Sequence, residues 1–325
     1  MEKMIEIFSA LGERLEHFGE EHTSQEVMRR AIEENGWFSS HDILLAVDAI
    51  REEFLNRKKL ERWAAAYHKA EPRRVAIIMA GNIPLVGFYD LLCVLMAGHT
   101  ALIKPSSKDK VLTDYIVSLL REIEPEIPIL HYSDDKPIDM AIATGGDQAA
   151  QHFRTRYANL PTIIRGSRHS LAVLDGNESE EEMEALSTDI FSHNGLGCRN
   201  ISLVMVPRGY DLKITPPAHT NKMMEGNYRQ NRALKSMLGV PFRDLGGYIA
   251  VESNSFSDNI SQINYHTYDS IAEIEQWIAS NDERIQCIVS NSITHPRCVA
   301  FGRAQYPTLW DVADGVNVMN FLTQQ

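Results

Sequence analysis

Four short segments of this 325-residue chain hold residue types that could do chemistry. Cys198 stands in the run Asn194-Gly195-Leu196-Gly197-Cys198-Arg199-Asn200. A thiol with two glycines in the three residues before it suits an exposed nucleophile, because the glycines let backbone approach a ligand closely. The competing reading is that of most unpaired cysteines, a small inert hydrophobe. Asn82, in Ala80-Gly81-Asn82-Ile83-Pro84, could donate a hydrogen bond to a developing oxyanion, or simply serve as a turn or N-cap residue. Lys104 ends the apolar run Thr100-Ala101-Leu102-Ile103 and could meet a ribose or phosphate, or stay solvated. Thr144-Gly145-Gly146 ends another apolar run and opens a helical stretch, where backbone N–H groups and the positive end of the dipole suit a pyrophosphate.

The elements that must position these residues are predicted from apolar periodicity. Short β-rich runs at 75–80, 100–104, 139–144 and 170–175 alternate with helical segments at 85–97, 108–123, 147–157 and 178–191. This alternation predicts a doubly wound parallel sheet, in which ligands bind beyond the carboxyl ends of the strands. The run Ile201 to Val206 is a strand that would anchor Cys198. Further runs at 248–252 and 285–290, with a polar helix over 221–238, predict a second α/β domain. The first seventy residues are helical, with Met4, Ile5, Phe8, Leu11, Leu15 and Phe18 at helical spacing. Thr23-Ser24-Gln25-Glu26 has the form of a capping box, Asn35-Gly36 breaks the chain, and Ser40 caps one longer helix running to about Tyr67. None of this helical arm is expected to carry chemistry.

Composition excludes several functions. The net charge of -12, from 44 acidic against 32 basic residues spread along the chain, leaves no basic stripe for nucleic acid. No apolar run approaches the roughly 20 residues of a membrane span. Cys93, Cys198, Cys287 and Cys298 form no C-x-x-C pair, and the chain shows no secretory apolar segment, so a reduced, cytoplasmic setting is expected. Cys93 and Cys287 are expected to be buried, Cys298 accessible. The twelve histidines include no His-Glu-x-x-His spacing, so no metal site is expected.

Asn82, Lys104, Thr144-Gly145-Gly146 and Cys198 occur in the order and approximate spacing of the aldehyde dehydrogenase superfamily. The chain resembles its acyl-CoA reductase branch, the LuxC-like fatty acid reductases. The branch resemblance rests on Gly81-Asn82-Ile83-Pro84, Lys104-Pro105-Ser106-Ser107 and Gly195-Leu196-Gly197-Cys198-Arg199-Asn200. It is clearest from Val75 to Val206. The fold implied is α/β and aldehyde-dehydrogenase-like: a Rossmann-type doubly wound parallel sheet domain, a second α/β catalytic domain and an N-terminal helical segment. The domains expected are a helical segment at 1–70, a nicotinamide-cofactor domain at 71–190, a catalytic domain at 191–302 and a segment at 303–325 returning to the cofactor domain or to a subunit interface.

The resemblance further implies that Cys198 attacks an acyl carbonyl while Asn82 and the Cys198 N–H hold the oxyanion. Lys104, Ser106, Ser107 and Thr144-Gly145-Gly146 would bind the cofactor. Thiolate formation would be helped by a helix N-terminus, Arg199 or His193. Two departures stand out. Oxidising relatives carry a Glu about thirty-five residues before the nucleophile to activate water. Here Thr162-Ile163-Ile164-Arg165-Gly166-Ser167 has no acid, which favours reduction of a thioester over its hydrolysis. Ser107 stands where NAD-preferring relatives often have Glu, so NADPH is expected to serve at least as well as NADH. For the acid that grips the nicotinamide ribose, Asp244 near Gly246-Gly247 is the nearest candidate, and Arg303 would meet either a coenzyme A phosphate or an acidic neighbour. The resemblance implies an acyl-CoA or acyl-carrier thioester substrate, an acyl-protein synthetase as partner, and a homo-oligomer. Two alternatives stay open: an acyl-phosphate reductase of the same fold, and a non-catalytic subunit of a fatty acid reductase complex.

Overall fold

A computed structural model describes residues 1–217 and 221–324. The chain divides into two compact units, one of Met1–Ser167 with Tyr306–Gln325 and one of Arg168–Gln305. The first unit opens with helices α1 (Glu2–Arg14), α2 (His22–Glu34), α3 (Ser40–Glu53) and α4 (Arg57–Ala64). It continues through β1 (Arg74–Ile78), α5 (Phe88–Ala97), β2 (Thr100–Lys104), α6 (Lys110–Ile123), β3 (Ile129–His131), β4 (Met140–Thr144), α7 (Asp147–Arg156) and β5 (Thr162–Arg165). The second holds β6 (His169–Val173), α8 (Glu180–Phe191), β7 (Ile201–Pro207), α9 (Lys222–Met237), β8 (Arg243–Asp244), β9 (Ile249–Glu252), β10 (Gln262–Tyr268), α10 (Ile271–Asn281), β11 (Ile285–Val289) and β12 (Cys298–Val299). The last helix, α11 (Val318–Thr323), belongs to the first unit.

All five strands of the first unit are parallel, in the order β3-β2-β1-β4-β5. Chain order reverses between β1 and β4, so the doubly wound sheet has its switch point where those two strands end. The helical arm packs on this sheet through Phe8, Leu11, Leu15, Leu60 and Trp63, which share one core with α5, α6 and α11. Phe8 meets Phe88 edge-on at 6.2 Å. His99, buried, joins two ends of the unit: its Nε2 donates to Leu322 O at 2.9 Å and its Nδ1 accepts the Arg73 N–H at 3.2 Å.

The second unit carries a seven-stranded sheet, β12-β11-β6-β7-β10-β9-β8, parallel except for the antiparallel edge pair β8 and β9. Its core gathers Leu171, Val173, Leu203, Met205, Ile274 and Ile288. Among the described residues no helix is long and apolar enough to cross a membrane.

Several expectations need correction. The run at 170–175 was expected as the last strand of the first sheet, with a boundary at 190/191. It lies instead in the middle of the second sheet as β6, and the units divide at Ser167/Arg168. The reason is chain length. Three residues separate β5 from β6, and a parallel neighbour in one sheet needs a crossover of a dozen or more. Residues 303–305 remain with the second unit, and the return to the first begins at Tyr306. The single helix expected from Ser40 to Tyr67 is two, because Asn56 caps a new start by accepting the Lys59 N–H. The capping box at Thr23–Glu26 does not form. α2 already begins at His22, and the buried Ser24 hydroxyl accepts the Gly19 N–H while donating to Glu21 O. Strands β5 and β10 and helix α10 were not anticipated; β10, Gln262-Ile263-Asn264-Tyr265-His266-Thr267-Tyr268, mixes too many polar residues to show as a run.

Candidate active site

In the first unit the sequence-identified segments sit together at the carboxyl ends of three adjacent strands, β2, β1 and β4. Asn82 is exposed on the loop after β1. It is not an N-cap, since α5 begins only at Phe88 behind Gly87. Lys104 is exposed at the end of β2, its ammonium 5.9 Å from the centre of the Tyr132 ring. Ser106 is half-buried and Ser107 exposed in the turn that follows, where the Ser106 hydroxyl accepts the Lys108 N–H at 3.3 Å. No acidic side chain lies between Lys104 and Lys108.

The loops after β1 and β2 touch closely enough to require glycine. A Cβ on Gly81 would lie 2.6 Å from both Cβ and Oγ of Ser106 and 3.2 Å from Asp109 Cβ. Asp109 is buried and stands at the N-cap position of α6, yet its side chain does not cap that helix. Its Oδ2 accepts the Leu85 N–H at 2.9 Å, steadying a leucine held at φ 54. Burial pushes this carboxyl well above the usual carboxylate range, against the Leu85 and Thr113 hydrogen bonds. Asn35, from the end of α2, donates to Lys108 O at 3.2 Å and to Gly81 O at 3.5 Å. It thus ties both loops to the helical arm, which was expected to carry no chemistry.

At β4, Gly145 and Gly146 lead into α7, whose first backbone N–H groups have no partner inside the helix. A Cβ at Gly145 would meet Ala149 Cβ at 2.8 Å, while Gly146 opens onto free space. Asp147 lies in that first turn, and its carboxylate accepts the Ser167 N–H at 2.9 Å. The acid-free stretch proves to be β5. Its Arg165 is buried and grips Asp90 with two hydrogen bonds, 2.6 and 2.9 Å, and also reaches Thr144 Oγ1 at 3.4 Å. Burial alone would discourage this cation, but the Asp90 carboxylate outweighs it and keeps the guanidinium charged.

Cys198 belongs to the second unit. It is exposed, whereas Cys93 and Cys287 are buried and Cys298 is intermediate. Its loop is shaped by three successive left-handed residues, His193 (φ 52), Asn194 (φ 55) and Gly195 (φ 70). Such a conformation costs a non-glycine residue about 1–2 kcal/mol, so something must hold it. Asn200 does, bracketing the run from both sides. Its Nδ2 donates to Ser192 O at 2.8 Å, with longer bonds to Asp189 O and Ile190 O, and its Oδ1 accepts the Gly197 N–H at 2.8 Å. Beneath the loop, the fully buried Ser170 hydroxyl donates to Cys198 O at 2.8 Å and accepts the Cys287 N–H at 3.1 Å. The registers of β6 with β7 and with β11 both shift beside this serine, and such bulges re-aim neighbouring side chains.

Of the thiol's candidate neighbours, His193 is buried rather than at the surface, and Arg199 donates through Nε to Ala304 O. No helix begins at Cys198, which precedes β7. Asp244 sits on edge strand β8, with β9 and β10 between it and β7. There its carboxylate accepts from Tyr228 OH at 2.7 Å and the Gly246 N–H at 3.0 Å, with Arg232 at 3.4 Å. Arg303 faces an acidic neighbour, Asp189. The supporting residues Asn35, Asp109, Arg165, Ser170 and Asn200 had not been picked out as site residues. Each acts across a gap in sequence or on main-chain groups, and neither leaves a motif. Among the described residues no cluster of His, Cys, Asp and Glu is arranged to hold a metal.

The family described as "Acyl-CoA reductase (LuxC)" matches residues 20–216. The long-chain acyl-protein thioester reductase of Aliivibrio fischeri is 25% identical over 153 residues, 40% of this chain and 31% of the relative. The matched region therefore spans about a third of that curated relative's length. Among solved structures, aldehyde dehydrogenase 21 of Physcomitrella patens, in complex with its product succinate, superposes with a TM-score of 0.64 at 12% identity, covering 90% of this chain and 73% of its own. The Mycobacterium tuberculosis aldehyde dehydrogenase complexed with NAD+ gives 0.62 at 14%, covering 89% and 72%. The structural likeness makes the fold that of the aldehyde dehydrogenases, and the sequence match over more than half of its length places this chain in the acyl-CoA reductase (LuxC) family.

Proposed function

We propose that this chain reduces an acyl thioester to the aldehyde, using a nicotinamide dinucleotide as hydride donor and Cys198 as the nucleophile. The observation that carries the reading is Cys198 itself: an exposed thiol on a strained loop that Asn200 and Ser170 fasten from both sides. The chain's similarity to the long-chain acyl-protein thioester reductase of Aliivibrio fischeri supports the substrate class.

The first unit fits a dinucleotide. The Gly81 contact leaves no room for a Cβ, the switch point lies between β1 and β4, and α7 begins there with N–H groups that have no partner within the helix. Lys104, Ser106 and Ser107 would hold the adenosine ribose side, and Thr144, Gly145 and Gly146 the pyrophosphate. With no acid beside Ser107 and Lys108 exposed next to it, a 2′-phosphate meets no repulsion, which favours NADPH, with NADH as an alternative donor. When bound, the cofactor supplies the hydride that reduces the acyl group.

In this mechanism the Cys198 thiolate attacks the thioester carbonyl and expels the carrier thiol, leaving an acyl-enzyme. Asn82 and the Cys198 N–H would stabilise the oxyanion, a donor of this kind being worth roughly 3 kcal/mol. After reduction, the hemithioacetal on Cys198 collapses to aldehyde and thiolate. Residues 162–167 provide no base for water: the one charged side chain there, Arg165, is committed to Asp90. Hydrolysis of the acyl-enzyme is correspondingly disfavoured. The carrier is coenzyme A or an acyl-carrier protein, with an acyl-protein synthetase as the enzyme that would charge it.

The test is oxidation of NADPH, with NADH beside it, over a series of acyl-CoA chain lengths for the native protein and Cys198→Ala. Aldehyde formed by the native protein alone supports the reading. Full activity in Cys198→Ala overturns the nucleophile, and absence of both turnover and cofactor binding overturns the enzyme reading in favour of a scaffold subunit.

A further inference from the structure

We propose that Asp189 is a positioning residue for the nucleophile, its carboxylate clamping the segment Gly302–Ala304 to α8 and so fixing Arg199, the neighbour of Cys198. This rests on the reading of Cys198 given above. Asp189 lies on the last turn of α8 and is fully buried. Its Oδ2 accepts the Gly302 N–H at 2.7 Å and its Oδ1 the Ala304 N–H at 3.0 Å. Ala304 is held at its other end as well, because its carbonyl accepts from Arg199 Nε. Asn200, next in sequence, donates to the main-chain carbonyl of Asp189 itself at 3.2 Å. The hydrogen bonds close a ring from Asp189 through Ala304, Arg199 and Asn200 back to Asp189, with Cys198 bonded covalently to one member.

The chemistry selects a carboxylate here. Two N–H groups converge on two oxygens, and an amide has only one oxygen to offer. Burying a carboxylate on neutral donors is costly, so plain stability is a poor reason for one at this position. The segment is built for the contact: Gly302 has φ +76, and a Cβ there would lie 3.1 Å from Ala185 Cβ on α8.

The clamp is also proton-sensitive. Burial lifts the Asp189 pKa to about 6, against the two N–H donors and the guanidinium groups of Arg199 and Arg303, the charged groups that face it. Ionised, the carboxylate accepts both amides. Protonated, it turns one oxygen into a donor and releases one of them. The unfolded value is about 3.9, so the native state binds the extra proton between about pH 6 and pH 4 and gains stability there from this group. Acidification therefore opens the clamp without favouring unfolding through Asp189.

Hydrogen exchange of the 300–305 amides in the intact protein, corrected for intrinsic rates, tests this directly. Native protein should exchange about tenfold faster at about pH 5 than at about pH 7. Asp189→Asn should show the fast rate at both. In the reductase assay the native acid limb near pH 6 should vanish in Asp189→Asn, with turnover lowered about tenfold and cofactor affinity unchanged. Equal exchange in native protein and variant, or native exchange independent of pH, overturns the proposal. If Asp189→Asn does not fold, the native pH dependence alone decides. Should Cys198→Ala stay active, the nucleophile reading fails, while the exchange data still decide the clamp.

Discussion

Gly81→Ala probes the close approach of the loops after β1 and β2. The new Cβ would sit 2.6 Å from Ser106 Cβ and Oγ, where carbon atoms normally rest about 3.5–4.0 Å apart. Both atoms hang directly on backbone or one bond from it, so no rotamer relieves the clash and the two loops must separate by about 1 Å. Overpacking of this kind costs about 1–3 kcal/mol. Denaturant unfolding of native protein, Gly81→Ala, Ser106→Gly and the double variant gives the coupling energy. The double variant should recover about 1–2 kcal/mol relative to the sum of the singles, since Ser106→Gly removes both offending atoms. Recovery should be incomplete, because Asp109 Cβ still stands 3.2 Å away. NADPH titration should show binding weakened about tenfold or more in Gly81→Ala. Native stability in Gly81→Ala, or strict additivity in the cycle, would refute the argument that the loop contact is what demands glycine.

Two further outcomes are expected. Asn200→Ala removes a side chain bonded to both Ser192 O and Gly197 N–H, and should cost about 3 kcal/mol in denaturant unfolding while lowering turnover more than it weakens cofactor binding; a loss confined to cofactor binding would contradict it. His99 is held neutral, burial pushing its pKa below the usual value, with Nδ1 accepting from Arg73 and Nε2 donating to Leu322. Because the folded pKa is the lower one, its contribution is complete above about pH 6.5 and is lost as pH falls below that, so α11 should fray first on acidification, as proteolysis near the C-terminus would report, and His99→Gln should blunt this response.

The segment around Cys198, the turn after β4 and the strand ending at Lys104 were legible in the sequence because each combines a strand with glycines or a polar residue at its end. Those are local properties: backbone freedom at Gly195 and Gly197, or period and β-branching in Thr100–Ile103, act within a few residues. The supporting groups were not legible. Asn35 shows in the sequence only as the partner of Gly36 in a chain break, and Asp109 as one residue in the first turn of an expected helix, yet the one reaches 46 residues to Gly81 and the other 24 to Leu85.

The sequence alone determined the helical and strand texture, the order of the candidate loops and the absence of an acid at 162–167, since side-chain type and short spacing suffice for these. Tertiary structure decided which sheet each strand joined and what each polar side chain was for. Arg165 in sequence is a cation in a stretch noted only for having no acid; in the fold it is a buried partner for Asp90. Asp189 in sequence is one acid on an acidic helix; in the fold it takes two backbone N–H groups more than a hundred residues away. A polar side chain's role depends on which groups share its burial, and only the folded chain brings those groups within hydrogen-bond reach.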